Sequence, residues 1–178
     1  MDGADARQPG SPQAEHGRMR RTSEGAFAPL HPAPQVTTLR PMAADPDCLF
    51  CKIVAGQIPS TRVYEDERTI AFMDINPGTR GHLLVIPREH AKDLLEIDPE
   101  DLAACARTAQ KMARTAKEKL DADGINLINS CGSKAWQTVF HFHVHVIPRY
   151  AGDPLRLPWQ PAPGDRDEIA QAADLLSA

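Results

Sequence analysis

From Asp47 onward the chain alternates short apolar runs with polar breaks, and one long stretch instead repeats its apolar positions at helical spacing. Cys48 to Ala55 is a short apolar segment closed by Gly56 and Pro59, and Thr61 to Glu65 reads as a strand. A second strand, Thr69 to Met73, follows the tight Asp66-Glu67-Arg68 turn and is broken off by Asn76-Pro77-Gly78. His82-Leu83-Leu84-Val85-Ile86-Pro87 is nearly all apolar and is stopped by proline, the pattern of a buried central strand. Asp98 and Pro99 give an N-cap and first-turn signal, with Glu100 and Asp101 on the positive end of the helix dipole and Gly124 as the stop. Between them Leu102, Cys105, Ala109, Met112, Ala116 and Leu120 form one apolar stripe, while Arg107, Lys111, Arg114 and Lys117 take much of the remaining surface. Ile125 to Asn129 and Val139 to Arg149 supply two more strands, joined by the polar loop Ser130 to Thr138.

Five strands around one long helix predict an α+β domain with a mainly antiparallel five-stranded sheet. The same pattern divides the chain in three. Residues 1–45, rich in Pro, Ala, Gly, Arg and Ser and without periodicity, are expected to be a disordered tail, because they cannot repay the entropy of ordering. Residues 46–150 carry the domain. Residues 151–178 are a Pro-rich extension in which Ile169, Ala172, Ala173 and Leu176 space a short helix.

Composition narrows the class of protein. Of 178 residues, 42% are hydrophobic and 25% charged, ordinary usage for a chain that buries a core. The formal charge of −4 and the lack of a basic stripe argue against a nucleic-acid polymer as partner, though a few donors suffice to hold one phosphate. No stretch reaches the roughly 18 apolar residues of a membrane helix, and no apolar signal segment opens the chain, so a cytoplasmic protein is expected. In such a reducing compartment the close pair Cys48 and Cys51 points to metal or redox chemistry rather than a structural disulfide.

Chemistry concentrates in His141-Phe142-His143-Val144-His145. Side chains alternate along a strand, so the three imidazoles share one face while Phe142, Val144 and Val146 share the other. An apolar face could not hold three imidazoles without dedicated partners. Two readings follow: three metal ligands, or a nucleophilic and acid-base array whose tautomers are fixed by neighbours. Gln137 and Thr138, just upstream, can donate hydrogen bonds to a phosphate oxygen or a leaving group, which phosphoryl chemistry wants and a metal site does not need.

The run Gln137-Thr138-Val139-Phe140-His141-Phe142-His143-Val144-His145-Val146-Ile147 resembles the signature of the histidine triad nucleotide hydrolases and transferases. Similar pieces continue upstream in the family's order: Cys48-Leu49-Phe50-Cys51-Lys52-Ile53, Ala71-Phe72-Met73-Asp74-Ile75 and Gly81-His82-Leu83-Leu84-Val85-Ile86-Pro87-Arg88-Glu89-His90. The resemblance implies a homodimer whose subunits join their sheets, a mononucleotide site on each, and a middle histidine, His143, that becomes covalently nucleotidylated. It implies that His145 orients the phosphate or leaving group, with Gln137 and Thr138 stabilising charge on the phosphate oxygens. Asp74 would hold the ribose hydroxyls, and Phe72 and Ile75 the base, with Asn129 a further candidate on the nucleotide side. Cys48, Cys51, His90 and His141 would form a structural Cys2His2 zinc site, as some relatives do. His82, before the buried strand, lies near the triad as a similar residue does in relatives or equally is a capping polar group, and it stays outside the catalytic set.

The expected activity is a nucleotide hydrolase that cleaves at the α-phosphate of phosphoramidates, adenylates or dinucleoside polyphosphates through a nucleotidyl-histidine. The alternatives are a nucleotidyl transferase or phosphorylase of the same fold, and a nucleotide-binding protein with little turnover. Metal-dependent hydrolysis by the triad lacks a carboxylate in that strand. Two departures from the family stand out. Trp136 replaces the glycine usual before Gln137, and Ser130 replaces a loop asparagine, with Asn129 one position earlier.

Overall fold

In the computed structural model the described residues are 44–156 and 158–177, and the tail expected over residues 1–45 therefore lies almost wholly outside them. After a short helix α1 (Leu49–Val54), the chain forms β1 (Arg62–Glu65), β2 (Thr69–Met73), β3 (Leu83–Pro87), the long helix α2 (Pro99–Leu120), β4 (Gly124–Ile128), β5 (Val144–Arg149) and a C-terminal helix α3 (Arg166–Leu176). The strands make one five-stranded sheet in the order β1-β2-β3-β5-β4, antiparallel at every pairing. The α+β expectation stands.

Both faces of the central strands are covered, which is why β2 and β3 read as continuous apolar runs rather than alternating ones. Ala71, Leu83, Val85 and Val146 turn toward α2, where Cys105, Ala109 and Met112 complete one core. Ile70, Phe72, Leu84 and Ile86 turn the other way, against Cys48, Phe50, Cys51 and Ile53 around α1. This second, smaller core is the floor of the site described below.

Local chemistry sets the turns. The Asp66 carboxylate accepts from the amides of Arg68 and Thr69 and from the Thr69 hydroxyl, which folds β1 back onto β2. Gly81 lies at φ +84°, where a β-carbon would collide with Leu120 of α2, so that turn requires glycine. Asp98 caps α2 by accepting from Glu100 N at 2.9 Å, with Pro99 in the first turn.

Two boundaries differ from expectation. Helix α2 stops at Leu120 because Asp121 takes the left-handed conformation, φ 54°; Gly124, expected as the stop, opens β4 instead. The last strand begins at Val144, not Val139, so His141 and His143 lie on an extended approach outside the ladder. The reason is at its neighbours. Register continued past Val85↔Val144 would set Phe142 opposite Pro87, which has no N–H to give, and the Phe142 amide turns instead to Ala91 O at 2.7 Å. Helix α3 forms as spaced, capped by Asp165, but none of its residues is buried. No helix among the described residues is long and apolar enough to cross a membrane.

Candidate active site

The approach segment keeps the alternation that the sequence implies. Phe142 is buried in the α2 core. His141 and His143 point to the opposite face and meet the Phe50 ring edge-on, at 5.9 and 5.4 Å between centroids. His145, the next on that face, sits 5.1 Å from the His143 ring. Asn129, just past β4, donates its side-chain N–H to His143 O at 2.8 Å, so its amide does the work of a missing ladder bond and fixes the backbone of His143.

Hydrogen-bond partners assign the tautomers. His143 Nδ1 is 2.7 Å from His141 O, an atom that can only accept; Nδ1 therefore carries the hydrogen and Nε2 presents a lone pair. His82 Nδ1 accepts from Gly78 N–H at 3.1 Å, so its Nε2 carries the hydrogen and donates to His145 Nδ1 at 2.9 Å. That leaves Nε2–H of His145 as a donor. Next to a nucleophilic lone pair, the fold thus sets a fixed N–H.

Electrostatics keeps these rings neutral. Burial pushes His145 down to about 4, helped by His143 and His82 and opposed by Asp74. Burial also lowers His143, against its bond to His141 O, and lowers His82, against the nearby Asp74 charge. Asp74 Oδ2 stands 3.6 Å from His82 Nε2 and 3.9 Å from His145 Nδ1. These atoms are close enough to share a cation. However, Gly78 N–H already occupies the other nitrogen of His82, so Nε2 could bind a metal only by losing that bond or becoming imidazolate. A hydrogen-bonded relay fits better.

Beside His143 and His145 opens a cleft of about 260 Å³ lined by Phe50, Phe72, Leu84, Asp74, Ile75 and Thr138 among others. Phe72 is a buried wall, Ile75 an exposed lip, and Asp74 a carboxylate at the rim. An apolar slot with one carboxylate at its rim and histidines alongside can take a flat base with its ribose hydroxyls on Asp74. Gln137 is not brought into the cleft. Its side chain is buried, donating to Lys92 O and Val139 O and accepting from Gly132 N, so it braces the loop that carries Thr138.

A second cluster lies behind the first. His141 Nδ1 is 3.5 Å from Cys48 Sγ and 3.6 Å from Cys51 Sγ, and His90 Nδ1 is 3.3 Å from Cys51 Sγ. A tetrahedral zinc with ordinary bond lengths has N···S edges of about 3.6 Å, so the donor set has the right size and chemistry. His141 Nε2 donates to Pro87 O at 3.0 Å, which turns the Nδ1 lone pair toward the sulfurs. Burial pushes the Cys51 thiol up to about 11, against the opposing Asp45 N–H bond; a thiolate there needs a cation beside it.

A model of the HIT domain, the histidine triad domain, matches residues 55–152. The chain belongs to the HIT domain family. Among HIT relatives, "Protein hit" of Bacillus subtilis (strain 168) is 44% identical over 115 residues, 64% of this chain and 79% of that protein. A Zn-bound histidine triad family protein from Mycobacterium smegmatis is similar with a TM-score of 0.60 and 46% identity, covering 74% of this chain and 96% of that one. The histidine triad nucleotide-binding protein from Candida albicans gives a TM-score of 0.65 at 31% identity, over 73% and 94%.

Within this HIT domain two residues do more than the sequence indicated. Of the two readings of His82, the place beside the triad is the one found: it donates to His145, and the signal was an imidazole opening an otherwise apolar buried strand, a position that is costly without a dedicated partner. Asn129 serves the backbone of His143. The departure at Trp136 is accommodated without glycine: the residue sits at φ 69° after a single 3-10 turn, with its ring exposed.

Proposed function

We propose that this HIT protein is a nucleotide hydrolase that attacks the α-phosphorus of its substrate with Nε2 of His143. The observation that carries the reading is the pair of fixed tautomers: a lone pair on His143 Nε2 beside an N–H on His145 Nε2, at the end of an apolar cleft rimmed by Asp74. The base lies between Phe72 and the Ile75 lip, its ribose hydroxyls on Asp74. Nε2 of His143 bonds to the α-phosphorus as the bond to the leaving group breaks. The developing positive charge of the ring is shared through Nδ1–H with His141 O. Nε2–H of His145 donates to the departing atom, and Thr138 donates to a phosphate oxygen. Water then attacks the phosphorus, the P–N bond breaks, a nucleoside monophosphate leaves and the imidazole is regenerated.

Cys48, Cys51, His90 and His141 are proposed to hold a structural zinc, which supplies no Lewis-acid chemistry and anchors the segment from which His143 projects. Gln137 acts as a brace rather than a phosphate donor. The working unit is proposed to be a cytoplasmic homodimer of residues 46–150 with their sheets joined. The test is trapping. Brief incubation with an α-labelled nucleotide substrate, then acid quench, should leave label on wild-type protein and none on His143→Ala of unchanged circular dichroism. Turnover surviving in His143→Ala would overturn the covalent route.

A further inference from the structure

Of the four side chains that converge behind His143, two are thiols, which can be oxidised as well as bind a metal. Cys48 caps the start of α1 and Cys51 lies in its first turn, with Cys48 O accepting from Lys52 N at 3.1 Å. Both sulfurs face the same atom, His141 Nδ1, at 3.5 and 3.6 Å. The ligand atoms of the cluster all lie within 4.8 Å of one another, so the two sulfurs need only close to about 2 Å to bond. A way in exists at Cys48. A cleft of about 430 Å³ lies beside the nucleotide cleft, shares Leu49, Thr138 and Val139 with it, and has Cys48 in its wall. Asp45 and Asp47 also line it, so it disfavours anionic oxidants such as glutathione disulfide and admits a small neutral one. The remaining cysteines are placed differently: Cys105 is fully buried in the α2 core, and Cys131 lies on the loop after β4.

We propose that Cys48 and Cys51 are a site of oxidation by hydrogen peroxide, closing into a disulfide that empties the metal cluster and switches His143 off; the loss of activity rests on the reading of His143 as nucleophile. The thiolate of Cys48 attacks one oxygen of the peroxide. The S–O bond forms, the O–O bond breaks, and the departing hydroxide takes a proton and leaves as water. The thiolate of Cys51 then attacks the oxidised sulfur of Cys48: the S–S bond forms, the S–O bond breaks, and a second hydroxide leaves as water. One peroxide is thus reduced to two waters while two thiolates are oxidised to one disulfide. Two of the four donors are consumed, and His90 and His141 alone cannot complete a tetrahedral zinc site. His141 keeps its bond to Pro87 O but loses its tie to α1. Phe50, between the two cysteines in sequence, touches the rings of His141 and His143 and lines the nucleotide cleft, so a turn drawn tight by the disulfide displaces the wall of the site. A dithiol reductant reverses the step by exchange.

The test uses the full-length, zinc-loaded chain carrying Cys131→Ser, which leaves Cys105 as the only thiol outside the cluster. Hydrogen peroxide should release zinc to a chromogenic chelator in step with the loss of two thiols per chain. The peptide that holds Cys48 and Cys51 should then be lighter by two hydrogens. Labelling of His143 by an α-labelled nucleotide should fall about tenfold or more, and dithiothreitol with added zinc should restore it. Glutathione disulfide should act far more slowly. Retention of zinc and thiols under peroxide would overturn the proposal, as would zinc loss without a disulfide. A disulfide that leaves labelling unchanged, or a loss of labelling that reductant and zinc do not reverse, would remove the switch. Equal speed with glutathione disulfide would overturn the assignment to peroxide. If the reduced protein never labels His143, the hydrolase reading fails, while zinc release and the disulfide still decide whether the two cysteines are an oxidation site.

Discussion

At the scale of single residues the site works by preventing protons from wandering. His143 and His145 were legible as a pair because alternation along an extended segment needs no partner. Their tautomers were not, since these depend on His141 O, Gly78 N and His82, and the His82 contact spans 63 residues of chain. A pH dependence follows from the burial of His145. The unfolded ring binds a proton near 6.5, whereas the folded ring refuses one until about 4, so the unfolded state binds more protons between those values. Stability contributed by the neutral ring is present above pH 6.5, drains away as pH falls toward 4, and amounts to a few kcal/mol at order of magnitude. Thermal melts from pH 7 to 4 should therefore show a steeper loss for wild type than for His145→Asn; parallel curves would refute it. Asn129→Ala should cost about 1 to 2 kcal/mol by leaving a carbonyl unpaired, and should slow turnover about tenfold by freeing the backbone of His143, the proposed nucleophile. An unchanged kcat would remove its positioning role.

At the scale of elements the strands and the long helix were readable, and the errors came where tertiary partners override local signals. Pro87 ends β3 as the sequence shows, but its missing N–H also shortens β5, because Phe142 must find Ala91 O instead. The consequence is functional. His141 and His143 sit on a segment without ladder bonds on that side, held by Asn129, by Pro87 O and by the Cys2His2 cluster. The cluster joins α1, the loop after β3 and the approach to β5, adding to the Phe142–Ala91 hydrogen bond and the Phe50 ring contacts between them. Elemental analysis should find about one zinc per chain. Its removal by a strong chelator should lower the melting temperature by several degrees and reduce nucleotidylation of His143, and Cys51→Ser should do the same without added chelator. Full activity of metal-free protein would show that the cluster does not anchor the segment.

At the scale of the whole domain the central strands are covered on both faces, while among the described residues the outer strands are left partly exposed. β1 and β4 are the edges, and β4 leaves Leu127 and Ile128 about half exposed, at 51% and 41%. An edge strand with exposed apolar side chains invites another strand. The sequence named β4 as a strand but could not tell that it lies at an edge, because its place is set by pairing with the later β5. The expected pairing is β4 with β4 of a second copy, which continues the sheet. Leu127→Lys places a charge at that edge, at the position that pairs with Val146 rather than with His145. Light scattering should report a dimer mass for wild type and a monomer for Leu127→Lys, with zinc content unchanged. A dimer that survives the substitution would move the interface elsewhere. A monomeric wild type would leave β4 as an edge protected only by its short length.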